Sequence, residues 1–341
     1  MTKKKPFKLK KKERVFLAYT FFICALISFA SILILKQVYK GTPAQDLATV
    51  IGGILGTSLS FFGSILVYKA LRSQIKANKI ISDQFKIQQF ESKYYEMLRL
   101  HKENVNNLQI ELTDIEYGGG ISKRTYELKG TDVFVLFCLE IEEIFKTILP
   151  LRIDVAYSFM AAYAIFFNGN YADNEEEYIK AIQNIRTRRL LNKKFIEPFQ
   201  PEGNVIYFDT VTNYELLQGH SEKLSQYFRH LFLTVKFVAN QDENFINYDE
   251  KREYLRMLRA QMSNYEQVLL FYNWFSGFGK EWENDNNNFF TDYRMIHNVF
   301  RAFLIQNSYV QTKYENLKTT DYRKIKNKFD DDLFESERWN G

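Results

Sequence analysis

Residues 47–68 read LATVIGGILGTSLSFFGSILVY, 22 positions without a charge, and beyond them no proline or glycine occurs until Gly118. A helix of that length crosses a hydrocarbon core about 30 Å thick. The lack of breakers carries the same helix onward as a stalk over residues 69–116. Upstream, residues 15–35 (VFLAYTFFICALISFASILIL) give a second uncharged run of 21. It exceeds the roughly 7–15 apolar residues of a cleaved signal core, and its apolar character continues past Ala30, so it reads as an anchor. The sequence thus predicts an N-terminal two-helix transmembrane hairpin, a long helical stalk and a cytoplasmic α-helical body: an all-α protein.

Charge orients the hairpin. Lysines 3, 4, 5, 8, 10, 11 and 12 and Arg14 lie in a basic tail, residues 1–14; Lys69, Arg72, Lys76 and Lys79 follow the second run. The connecting loop, residues 36–46, carries only Lys36, Lys40 and Asp46. By the positive-inside rule both termini are cytoplasmic and the loop external, in a cell membrane. The lysine tail is placed to rest on anionic lipid. Residues 1–79 hold 14 basic and 2 acidic residues, net +12, whereas residues 80–341 hold 32 and 39, net −7. A mildly acidic body argues against a broad nucleic-acid surface, which needs clustered Lys and Arg. Neither run holds an ionisable residue of the kind that marks an ion path, which argues against a transporter.

Gly52, Gly56, Ser60 and Ser64 recur every four residues and line one helix face with small side chains. Such a face packs either on the first run or on another copy of the chain. In the stalk, Ile80, Ile87, Tyr94, His101, Leu108 and Ile115 repeat every seven residues, a coiled-coil seam in which His101 reads as a register-fixing polar residue. The expectation is a homo-oligomer through the second span and stalk.

Gly118, Gly119 and Gly120 end the stalk and open a loop to Gly130. The body, residues 117–312, shows helical patterns near 131–148, 153–168, 174–194, 213–239, 248–276 and 289–310, with a short strand at Val205–Val211. Residues 313–341 form a polar tail. Two cysteines, Cys24 and Cys138, cannot build a disulfide scaffold, and no His-Glu-x-x-His or Cys-x-x-Cys pair points to zinc. No metal or cofactor is implied.

Chemistry is concentrated on two helices. In the first, Leu224, Tyr227, Phe228, Leu231, Val235 and Val238 make a core stripe, flanked by Arg229 and His230, with His220 one turn earlier. In the second, Arg259, Glu266 and Asn273, seven apart, edge an apolar face, with Ser263 one turn from Arg259. These seven polar residues are the candidate site. The competing reading is structural, with Glu266 neutralising Arg259 or Arg229 and Asn273 capping or bridging.

The run Gly219-His220-Ser-Glu-Lys-Leu224-Ser-Gln-Tyr227-Phe228-Arg229-His230-Leu231, then Lys236-Phe237, resembles the signature of the phage abortive infection family typified by lactococcal abortive infection protein C. The second block, Tyr254-Leu-Arg-Met-Leu258-Arg259-Ala-Gln-Met262-Ser263, then Glu266 and Leu269-Leu-Phe-Tyr272-Asn273, fits too, with Met262 where the family block has Leu. The resemblance implies a protein that senses infection and halts growth or phage replication; the trigger is unspecified and no catalytic residue carries over. The alternative is a membrane-tethered enzyme, foremost a nuclease. A HEPN-type ribonuclease pairs Arg and His four to six residues apart on one helix, and neither Arg229-His230 nor Arg294-x-x-His297 has that spacing.

Overall fold

A computed structural model describes residues 11–38, 44–117, 121–151, 154–169, 211–212, 219–319 and 333–335. The protein is mostly helical and divides into two compact units, residues 1–91 and 92–341.

In the first unit, α1 (Lys11–Val38) meets the beginning of α2 (Ala44–Asn106). Both form because long apolar runs lack breakers and satisfy their own backbone groups. Ser28 Oγ lies 2.9 Å from Ser58 Oγ, and Phe21 packs edge-on to Phe62 with centroids 5.4 Å apart. Among the described residues one helix is long and apolar enough to cross a membrane, Ala48–Asn106, whose apolar 18-residue stretch has mean hydropathy 1.9; the apolar part of α1, Ala18–Ile34, is shorter.

The second unit contains the end of α2, which stops at Asn106. The expected stalk over 69–116 is therefore shortened, and residues 109–117 form a strand instead. Asn106 and Asn107 weaken the helix, and Leu108, Ile110 and Leu112 then alternate at the period of a strand. Leu108 and Ile115 matched a seven-residue count by coincidence. The strand β1 (Gln109–Tyr117) pairs antiparallel with β2 (Ile121–Lys129), in register from Gln109↔Lys129 to Tyr117↔Ile121, where a plain loop was expected. A third strand, β3 (Val211–Thr212), lies on the other side of β1. Val211 is the one described residue of the expected strand 205–211. The all-α class is thus correct for the bulk of the chain, with one small sheet added.

The seam itself turns inward. Tyr94, His101 and Val105 are buried in the second unit, with Tyr94 hydroxyl donating to the Tyr254 carbonyl. Over these residues the seven-residue repeat marks a core face of the body.

Helix α3 (Thr131–Ile148) is the centre of that body and packs on α4 (Val155–Asn168). Phe134, Phe137, Ile141 and Phe145 are buried on it. Next come α5 (Ser221–Ala239), α6 (Tyr248–Arg259) and α7 (Asn264–Phe275), the last packing on α3. The pattern at 248–276 reads as one helix and is two. Ser263 and Glu266 form a capping box that starts α7, as Asn247 and Glu250 start α6. The expected helices 153–168 and 131–148 form; 174–194 and 213–218 lie outside the described residues.

The expected helix 289–310 does not form. The Glu283 carboxylate takes the N–H groups of Phe290 and Thr291 at 2.8 and 3.2 Å, as a helix cap would, but Arg294 then turns the chain with φ +60°, which no helix accommodates. Turns continue to α8 (Ser308–Thr319). Part of the expected polar tail is core: Phe334 is buried and stacks on Tyr314 at 4.1 Å, while the Leu333 carbonyl meets His297 Nδ1 at 3.0 Å.

Candidate functional site

Two buried carboxylates organise the polar interior of the second unit. The first is Glu140, fully buried on α3, whose Oε2 lies 2.8 Å from His220 Nε2. His220 is the N-cap residue of α5, and its backbone N–H donates to the Phe167 carbonyl at 2.9 Å. Its ring sits between Phe137 and Phe166, with centroids at 4.4 and 4.9 Å. Gly219 makes this approach possible. It has φ +80°, and a Cβ there would lie 2.6 Å from the Gly169 nitrogen. Only glycine suits that position.

The second carboxylate is Glu266, also fully buried. Its Oε2 accepts from the Ser263 N–H at 2.7 Å, and its Oε1 accepts from the Tyr227 hydroxyl at 3.0 Å. His101 Nε2 stands 3.7 Å from Oε1, beyond hydrogen-bond range. Neither ring nitrogen of His101 has a hydrogen-bond partner, although the residue is 1% exposed. Burial lowers its pKa to about 4, helped by His230 nearby. Burial also raises Glu266, against the bonds from Ser263 and Tyr227 that lower it. Desolvation thus drives both partners toward uncharged forms, so they do not form an ion pair. Aromatic rings connect the two carboxylates: Phe137 touches His220, Phe134 touches Phe137 at 6.2 Å, and Tyr227 touches Phe134 at 5.1 Å.

The other candidate residues go elsewhere. Arg229 is exposed. His230 Nε2 meets the Met97 carbonyl at 2.9 Å, and Arg259 Nη1 donates to the Arg294 carbonyl at 3.1 Å. Asn273 Nδ2 donates to the Tyr163 hydroxyl at 2.8 Å, bridging α7 to α4. Glu266 takes neither Arg259 nor Arg229, because the break at residues 260–263 resets the helical phase on which the ladder was drawn. His220 and Arg229 are not brought together.

A carboxylate-held imidazole is equipment for general acid–base catalysis. Here His220 is 7% exposed and both carboxylates are 0% exposed. Among the described residues no group of three or more His, Cys, Asp or Glu is placed to hold a metal. Sequence reasoning missed Glu140, although a signal existed: it falls at the helical spacing of Val133, Phe137 and Ile144, a carboxylate on an apolar face.

All seven candidate residues fall within one matched segment. Residues 219–304 match the family model described as Putative phage abortive infection protein. The resemblance read from the two helical blocks is borne out. The phage abortive infection match begins at Gly219, whose close approach seats His220, and runs through α5, α6 and α7. No curated protein and no solved structure matches the chain.

The divided ladder makes a direct prediction. Glu266→Ala removes a helix cap and strands the Tyr227 hydroxyl, costing about 2–3 kcal/mol. Arg259→Ala removes a bond to a carbonyl from a half-buried side chain, costing about 1 kcal/mol. Urea unfolding of the two variants should separate them; equal losses would restore the paired ladder.

Proposed function

We propose that this chain is a membrane-anchored anti-bacteriophage protein, two-pass with both termini cytoplasmic, whose body senses infection and halts growth or phage replication. The family match over residues 219–304 carries the reading. The apolar runs of α1 and α2 and the basic residues on their far flanks support the anchor and its orientation. Membrane lipids and further copies of the chain are the partners; the trigger comes from phage or host. An enzyme would need its acid–base groups open to substrate. Burial of His220, Glu140 and Glu266 therefore favours sensing over catalysis.

Cells producing the chain should yield fewer infectious particles per infected cell than cells without it. Unchanged burst size and plaque count across a broad phage panel would remove the defence reading. Topology is tested separately. In intact cells a membrane-impermeant maleimide should modify Gln45→Cys and spare Ser122→Cys; the reverse labelling would invert the hairpin.

A further inference from the structure

From the end of its apolar run onward, α2 leaves large apolar side chains in the open. Val67, Leu71, Ile75, Ile81 and Phe85 are each more than half exposed. At about 100° per residue, all five lie roughly 100–180° around the helix from Ser58, the residue that meets α1. Gly52, Gly56, Ser60 and Ser64 fall in the same sector, so the small and the large apolar residues share one strip, which the uncharged Gln74 and Asn78 also join. Every charge between residues 69 and 86 lies elsewhere. Lys69, Arg72, Lys76, Lys79, Asp83 and Lys86 fall within about 80° of Ser58. Ile80 is exposed too, but it lies among these charges.

The glycines show that α1 does not use this strip. A Cβ added at Gly52 or Gly56 would meet nothing within 4 Å. The alternative left open by the sequence, that small residues serve packing within the chain, therefore fails at these positions.

We infer that the strip from Gly52 to Phe85 is the contact face of a parallel homodimer, with a second copy of this chain as its occupant. The inference rests on the membrane-anchored reading, because two copies in one membrane with one topology present the strip in the same direction. Each copy's strip then meets itself about a two-fold axis. Small residues allow the backbones to approach within the apolar section, and the larger side chains interlock beyond it. Charge placement agrees, since like charges that would repel across the contact stay on its outer side. The size suffices. A strip about 50 Å long and about 10 Å wide buries about 1,000 Å² over both partners, the lower bound for a stable interface. The seven-residue seam, taken up by the body from Tyr94 onward, is a different face of α2.

Oxidative cross-linking of the full chain in membranes from uninfected cells tests this in a Cys24→Ala background. Ile75→Cys and Phe85→Cys should each give a disulfide dimer, and Lys76→Cys about tenfold less, for a preference near 1.4 kcal/mol. Gly56→Ile is the second arm. It fits the isolated chain, so it should lower the Ile75→Cys dimer about tenfold at unchanged protein level. Equal dimer from Ile75→Cys and Lys76→Cys would overturn the inference. So would a purely monomeric product, as expected if lipid or the chain's own body covers the strip, or a dimer indifferent to Gly56→Ile. Recovery of the chain in the membrane fraction is scored independently. No phage enters the assay, so failure of the defence reading leaves its outcome unaffected.

Discussion

His220→Ala is expected to destabilise the body by about 3–5 kcal/mol, because it removes the imidazole from a fully buried carboxylate. For a unit of this size that loss lowers Tm by about 10 °C. The ring also fills space between Phe137 and Phe166, so a cavity adds to the electrostatic loss. Two further variants separate the causes. His220→Gln keeps a donor toward Glu140 and should retain part of the stability. His220→Leu with Glu140→Leu replaces the pair by apolar groups and should recover most of it. Thermal unfolding of the purified full chain reads all four proteins. A His220→Gln protein as stable as the parent yet unable to block phage would move His220 from structure to chemistry and revive the enzyme alternative.

The sequence made the helical class legible because apolar spacing is a local signal. Residues 131–148 and 221–239 carry it plainly, and the structure has helices there. It misled where a second local signal competed. The repeat through Leu108 and Ile115 continued numerically across Asn106-Asn107, yet strand alternation takes over there, and Gly118-Gly119-Gly120 separates the two strands of a hairpin. The helix pattern at 289–310 ended at Arg294, whose φ of +60° is invisible to spacing. The capping box Ser263-x-x-Glu266 was visible in the sequence and was read as part of a polar ladder. Its partner explains why residues chosen together separated: Glu266 answers to Tyr227, which no pattern on its own helix reveals. Glu140 and His220 stand 80 positions apart and illustrate the same limit.

His101 and Glu283 should give the protein a flatter acid profile than either group alone would allow. His101 titrates near 4 in the fold, against 6.5 when unfolded, because burial opposes its charge. Between those values the unfolded chain binds a proton that the fold refuses, so stability from this group is full above pH 6.5 and falls as pH drops toward 4. Glu283 is displaced the other way, from 4.5 to about 7, with desolvation outweighing its bonds from Thr291 and Phe290. The fold then keeps a proton that the unfolded chain releases, and stability falls as pH rises from 4.5 to 7. Each shift corresponds to roughly 3 kcal/mol, and the opposing slopes overlap between pH 4.5 and 6.5. Removing one group should expose the other. His101→Leu, close in volume and free of unbonded ring nitrogens, should gain stability relative to the parent as pH falls from 6.5 to 4.5. Glu283→Gln should lose stability relative to the parent over the same interval. Urea midpoints of the detergent-solubilised full chain, taken at half-unit steps from pH 7 to 4.5, supply both difference profiles. A flat difference profile for either variant would show that the group removed titrates in the fold as it does in water.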